Sequence, residues 1–341
     1  MSKNNSIAIV ILTWNDAFNT IECLNSLYQN NNIKFDIILV DNNSDEINYQ
    51  KVINWLNKKK IKIHYINKSY KFHNTISRNN INFYLYKIRE VANFRFAKNL
   101  GITRGYNKGI NFALKKRYNF ITRLDCDFIV PRNFVKGLLE TLLDNQYAVA
   151  ASPKVYYHVK KKTKLIWWVK LIFSKNYFTF HQTGKNQNRR VLDKGQFTGI
   201  SNSDSVCGCC VMYRSKSLKQ CLKIDPPRKN VFDEDFFFGP DDMELSYRLK
   251  KIGDILVNMD NFAYHKVSQS IHVSGIKSNI YFATIGWLLL TKKVCNKQDQ
   301  ILCRIFFILR GILHLFRLVY KKNKDPHIGF LLRLKDYFIK Y

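Results

Sequence analysis

Asp125, Cys126 and Asp127 close the apolar segment Phe120–Pro131 with two carboxylates one residue apart. At the C-terminal end of a strand, such a pair can hold a divalent cation against a diphosphate. Mg2+ and Mn2+ prefer hard oxygen ligands and keep positions open for substrate phosphates. Open α/β sheets also bind their ligands at that end of their strands. An Asp-x-Asp triplet alone is more often a polar turn, so its neighbours decide the reading. A second carboxylate pair, Asp241-Asp242, opens an amphipathic stretch that runs to Gly253. Carboxylates there cap a helix and favour its dipole, which by itself explains them. Gly101, Gly105 and Gly109 recur every four residues ahead of a helix expected over 110–116. That spacing suits close backbone approach to a ligand, and equally a glycine-bearing loop with a good N-cap.

The elements that must position these groups read as an α/β start. Ile7–Leu12 is a continuous β-branched run, as in a strand buried on both faces. A polar loop, Thr13–Asp16, and a helix over about 17–29 follow. Ile37–Val40 is a second strand ending in Asp41-Asn-Asn-Ser-Asp45, 48–58 a helix, and Ile61–Ile66 a third strand. This alternation predicts a doubly wound, mostly parallel sheet with helices on its faces. Residues 67–95 match no clean period and read as an insertion with some helix. Further on, 132–144 is expected as a helix, with strands at 148–152 and 206–213, and Gly253 is placed to end the helix opened by Asp241.

Composition narrows the partners. The 341 residues are 46% hydrophobic and 14% aromatic, enough for a real core, and carry a net charge of +31 from 56 Lys+Arg against 25 Asp+Glu. Such an excess points to an anionic partner, although Lys-rich usage also reflects coding bias. No signal peptide is visible before the short apolar run at Ile7, and the eight cysteines lack zinc-like spacing. They read as reduced cytosolic thiols packed as small apolar groups. Basic residues flank Trp167-Trp168, as in interfacial segments. Arg310, His314, Arg317 and Lys321 fall on one face of an expected helix over 301–320. A basic stripe opposite an apolar face suits a helix lying on an anionic membrane; packing of the apolar face on the main domain is the competing reading.

Taken together the segments resemble the family 2 inverting glycosyltransferases of the GT-A fold, with the nearest likeness to bacterial rhamnosyltransferase-like enzymes of surface polysaccharides. The segments are Val10–Asn15, Val40–Ser44, Asn99–Gly109, Asp125–Asp127, Gly208–Arg214, Phe232–Phe237 and Asp241–Arg248. The resemblance covers about residues 7–270. It implies a GT-A domain over 1–272, with the 67–95 insertion, and a basic helical tail over 273–341. It places Thr13, Asn15, Asp41, Arg104, Asn107 and Asp125 on the nucleotide-sugar donor, and Asp127, with His265, on Mn2+ or Mg2+. Asp242 falls on the catalytic base and Asp241 on its acidic neighbour, with Trp167 and Trp168 also toward the acceptor. Where the family has a Glu-Asp pair, this chain has Asp241-Asp242, and Cys209 and Cys210 replace small residues.

The implied reaction is metal-dependent, inverting transfer of a sugar, rhamnose first among candidates, from a dTDP-, UDP- or GDP-linked donor to a glycan or lipid-linked acceptor. One carboxylate takes the proton of the attacking hydroxyl in a single displacement, and the ion neutralises the leaving diphosphate. The implied location is the cytoplasm, peripheral on the inner face of an anionic plasma membrane. Two other readings compete. A basic nucleic-acid-binding protein fits the charge, but no recognition motif is present and acidic clusters would face the phosphates; nucleic acid is not expected as a partner. A sugar nucleotidyltransferase fits the fold but lacks the Gly-rich basic loop that a triphosphate needs.

Overall fold

The computed structural model describes residues 5–66, 81–93, 97–157, 195–206, 208–224, 226–266 and 276–340. Trp167 and Trp168 and most of the expected insertion lie outside them. One sheet organises the molecule, in the order β3-β4-β2-β1-β5-β9-β7-β10-β6, with β8 paired to β10. The strands are β1 (Ile7–Thr13), β2 (Asp36–Asn42), β3 (Ile63–Tyr65), β4 (Phe83–Ile88), β5 (Phe120–Asp125), β6 (Phe128–Ile129), β7 (Ala148–Tyr157), β8 (Ile200–Ser203), β9 (Cys210–Arg214) and β10 (Asp254–His265). From β3 through β5 every pairing is parallel. β9 then runs antiparallel to both β5 and β7.

The apolar run of β1 is explained by burial on both faces. Ile7, Ile9 and Ile11 enter one core layer. Ala8 and Val10 enter the other. Helices α1 (Ala17–Leu27), α2 (Glu46–Lys58) and α4 (Phe134–Asp144) cover the first layer. Helices α3 (Ile102–Lys115), α5 (Ser215–Cys221) and α6 (Asp241–Leu249) cover the second. The register sets Thr13 opposite Asp41, and Leu12 opposite Asp125, so the polar ends of β1, β2 and β5 meet along one edge.

Several expectations are corrected. Residues 83–88 are not part of a helical insertion but a strand inserted between β2 and β3. Phe83 and Leu85 alternate inward along it, a period-2 signal hidden among Asn, Tyr and Lys. Helix α3 starts at Ile102, eight residues before the expected start at 110, so Gly105 and Gly109 lie inside it. A Cβ at Gly105 would lie 2.6 Å from Leu12 Cδ1, and one at Gly109 would collide with Val10 and lie 2.9 Å from Val40 Cγ2. These glycines let a helix sit close on the sheet. Gly253 lies beyond the end of α6 at Leu249 and packs on the Tyr147 backbone. β7 extends to Tyr157, β9 begins at Cys210, and β8 had no counterpart in the sequence reading.

The tail forms α7 (Ile276–Val294), α8 (Lys297–Tyr320) and α9 (Asp325–Lys340). Ile285, Leu288 and Leu289 of α7 pack on Phe236 and Met243, and Phe282 stacks on Phe237 with centroids 4.0 Å apart. Of the basic stripe of α8, Arg310, Arg317 and Lys321 are exposed, and only His314 is withdrawn from the surface. His314 is buried, stacks on Phe330 at 4.2 Å and sets its Nδ1 2.9 Å from His327 Nδ1. Burial and the neighbouring Arg310 push His314 down to about 4, so it is neutral at pH 7. α8 also presents an exposed apolar row: Ile305, Leu309, Ile312, Phe316 and Val319.

Replacing Gly109 by valine tests the helix–sheet contact. Branched methyls would meet Val10 and Val40, both fully buried, and overpacking of this kind costs about 1–3 kcal/mol. Gly109→Val is expected at the upper end, read as a lowered urea midpoint; an unchanged midpoint contradicts the packing role.

Candidate active site

β5 delivers Asp125 to the sheet edge, and the turn after it presents Asp127. Asp125 Oδ1 accepts a 2.6 Å hydrogen bond from Tyr106 Oη on α3, and its backbone N–H donates to the Cys209 carbonyl at 2.8 Å. Burial, with Asp127 adding to it, pushes Asp125 up to about 6. Asp127 Oδ1 lies 3.1 Å from Nε2 of His265, the last residue of β10. The imidazole stacks on Phe128 at 4.4 Å, and its Nδ1 lies 3.9 Å from Cys209 Sγ.

Negative potential accumulates here. Asp127 raises Asp16, and Asp125 and Asp127 both raise the Cys23 and Cys126 thiols, in each case on top of burial. The nearby Lys266 is engaged with Glu22 and with Asn19 Oδ1 at 3.0 Å. One ligand atom each from Asp125, Cys209 and His265 lies within 4.8 Å of the others. Carboxylate, imidazole and thiol donors facing one point amid excess negative charge fit a divalent cation.

The second pole is the start of α6. Asp242 Oδ2 accepts from the Gly208 backbone N–H at 2.9 Å, and its Oδ1 from Met243 N–H at 2.9 Å. A Cβ at Gly208 would collide with Asp242, so only glycine brings this backbone against the carboxylate. Burial, reinforced by Asp241 next door, pushes Asp242 up to about 6. Asp241 is instead claimed by Arg123, the charge inside β5, at 2.6 Å with both side chains 3% exposed. The guanidinium lies 4.4 Å from the Tyr106 ring centroid and 4.7 Å from that of Phe232.

The remaining expected residues are each engaged with a neighbouring group. Thr13 Oγ1 is 2.7 Å from Thr20 Oγ1. Asn15, at φ 51°, receives the Asp45 N–H at 2.7 Å and donates its own N–H to Ser44 Oγ at 2.9 Å, tying the loops after β1 and β2 together. Buried Asp41 accepts from Ser44 N–H at 3.2 Å and from Arg89 at 3.3 Å, and burial raises it. Arg104 faces Glu234 at 3.6 Å. Asn107 spends its amide on the Phe232 backbone, donating to its carbonyl and accepting from its N–H, each at 2.9 Å. It thus clamps the segment that leads to Asp241.

Sequence reasoning missed Tyr106, Arg89, Glu234 and the active part of Cys209, which had read as a tolerable small residue. Tyr106 and Glu234 lie inside segments already singled out; nothing local pointed to Arg89, which came from the misread stretch before α3.

Residues 77–222 match the model of Glycosyl transferase family 2. No curated protein matches the chain. Among solved structures, TarS 1–349 from S. aureus in complex with UDP-GlcNAc is similar with a TM-score of 0.50 at 13% identity, covering 97% of this chain and 80% of that one. A mannosyltransferase from Pyrobaculum calidifontis, in complex with GDP-Man and Mn2+, gives 0.48 at 12%, covering 98% and 88%. TarS in a longer form gives 0.47 at 16%; 93% of this chain is covered, but this chain spans only 44% of that one. The family match starts at residue 77, so β1 and β2 carry the likeness through fold alone.

The Arg123–Asp241 pair yields a double-mutant test. Arg123→Met leaves Asp241 buried without its cation, which costs about 3–5 kcal/mol. Adding Asp241→Leu removes the stranded charge, and the double variant is expected to recover at least half of that loss in urea unfolding. A double variant as unstable as Arg123→Met contradicts the pairing.

Proposed function

We propose that this chain, whose residues 77–222 match the model of Glycosyl transferase family 2, moves a hexose from a nucleotide-diphosphate donor to an acceptor hydroxyl with inversion. The observation that carries this reading is the convergence of two poles on one short segment. Gly208 touches the Asp242 carboxylate, and Cys209 touches both Asp125 and His265. A donor diphosphate at the first pole thereby sits beside a base at the second.

The roles follow. Asp41, Asn15 and Thr13 shape the nucleotide end, with Arg104 and Asn107 holding the wall beside it. Asp125, Asp127 and His265 mark the place of a divalent cation, with Asp125 on the side of the donor's ribose or sugar. When bound, the ion supplies Lewis-acid neutralisation of the leaving diphosphate. Asp242, fixed by the Gly208 and Met243 amides, takes the proton from the acceptor hydroxyl as oxygen attacks the anomeric carbon. Asp241 is occupied by Arg123 and does not compete for that proton. The donor is a nucleotide sugar, the ligand class held in the TarS structure. A deoxyhexose donor of the dTDP-rhamnose kind is the first to test.

The acceptor is a growing, lipid-linked glycan, and the tail brings the enzyme to it. No helix among the described residues is long and apolar enough to cross a membrane. α8 instead exposes an apolar face, with Phe316 61% and Val319 75% accessible, on a chain of net charge +31. Such a face on so basic a chain suits a helix lying in an anionic interface. Co-sedimentation with phosphatidylglycerol vesicles is expected, and Leu309→Glu with Phe316→Glu should abolish it. Equal sedimentation of the variant contradicts this placement.

For the base, Asp242→Asn is expected to lower transfer at least a hundredfold while leaving donor binding within threefold. Because burial raises Asp242 to about 6, the base is protonated below that pH. The wild-type rate should therefore fall about tenfold per pH unit below 6 and level off above it. A rate flat from pH 5 to 8, or loss of donor binding in Asp242→Asn, removes Asp242 from this role.

A further inference from the structure

Cys209 adds a sulfur to a place where hard oxygen donors would suffice for Mg2+. We propose that Cys209 Sγ, His265 Nδ1 and an Asp125 carboxylate oxygen are the ligands of the cation, with Asp127 orienting His265, so that the site favours a borderline-soft ion such as Zn2+ or Co2+ over Mg2+. This rests on the reading of the site as cation-binding and specifies its ligands.

The geometry supports each part. The ligand atoms of the three residues lie within 4.8 Å of one another. Metal–sulfur and metal–nitrogen bonds of about 2.3 Å and 2.0–2.1 Å at a tetrahedral angle put S and N about 3.6 Å apart. Cys209 Sγ and His265 Nδ1 stand 3.9 Å apart, a few tenths of an ångström from that value. The other ring nitrogen, Nε2, faces Asp127 Oδ1 at 3.1 Å. With Nε2–H donating to that carboxylate, the lone pair lies on Nδ1, toward the sulfur. A ligating histidine characteristically gives its second N–H to a carboxylate, which fixes the ring and raises its basicity.

The positions are also held from outside. His265 is stacked on Phe128 and paired to it across β10 and β6. The Cys209 carbonyl is hydrogen-bonded to Asp125 N–H, so sulfur and carboxylate share one backbone link. Thiolate and imidazole donors select Zn2+ and Co2+, and Mg2+ is poorly served by either. Binding exchanges the Cys209 S–H for a metal–thiolate bond and releases that proton to solvent.

The test is optical, on the metal-free full chain titrated with Co2+. A thiolate-to-cobalt charge-transfer band in the near ultraviolet is expected for wild type and for Cys126→Ser. Cys209→Ser should lack the band and bind Co2+ about 10–100-fold more weakly by calorimetry, with an unchanged circular dichroism spectrum. Co2+ bound by wild type without the band, or a band that persists in Cys209→Ser, overturns the sulfur ligand while leaving a cation site of oxygen and nitrogen donors in place. No Co2+ binding by wild type overturns both the ligand set and the cation site.

Discussion

The buried pair of Arg123 and Asp241 is the constraint on which the site depends. An arginine inside a sheet strand is tolerated only because a carboxylate from a residue far along the chain meets it at 2.6 Å and two aromatic rings pack beside it. That contact fastens the start of α6 to β5. Since β5 ends in Asp125 and α6 begins with Asp241-Asp242, one ion pair sets the offset between the two acidic poles. Buried ion pairs contribute little net stability compared with apolar substitutes. Here the gain is positional: Arg123 holds Asp241, and burial raises the Asp242 beside it.

Around that pair the chain uses backbone to hold side chains. Gly208 approaches Asp242 closely enough to donate an amide hydrogen, and the next residue receives the Asp125 N–H. Asn107 locks the Phe232 backbone, and Thr103 and Ile102 reach the Phe236 and Phe237 carbonyls. The N-terminal turns of α3 therefore serve as a frame for the segment that leads to Asp242. α7 packs on the outside of that segment through Phe282, and Lys293 bonds Asp233 and Asp235 there, each at 2.7 Å. The tail is thus structurally continuous with the site, and an interfacial helix beyond it would present the site at a fixed height above lipid.

Much of this was legible in the sequence because burial writes a simple code. The run at Ile7 and the polar ends of the first, second and fifth strands gave the sheet edge and most of its carboxylates. What stayed illegible depends on contacts distant in sequence. Arg123 is an odd charge inside a strand, but no local pattern names its partner, 118 positions on. Gly105 and Gly109 looked like a ligand loop, because close approach to a sheet and close approach to a phosphate ask for the same residue. The strand at 83–88 was lost because its inward Phe83 and Leu85 alternate with Tyr84 and Tyr86, and Lys87 breaks the apolar row, in an Asn-rich stretch. Cys209 read as a small residue, since nothing in one dimension sets it beside His265.

The central claim is that the edge defined by Asp41, Asp125 and Asp127 binds a nucleotide diphosphate with a cation. Calorimetric titration of wild type and Asp127→Asn with UDP, dTDP and GDP, with and without Mn2+, tests it most directly. The account predicts that one nucleotide binds wild type only when Mn2+ is present, and that this binding is lost in a folded Asp127→Asn. Absence of binding by all three nucleotides, or binding indifferent to both Mn2+ and Asp127, would contradict it.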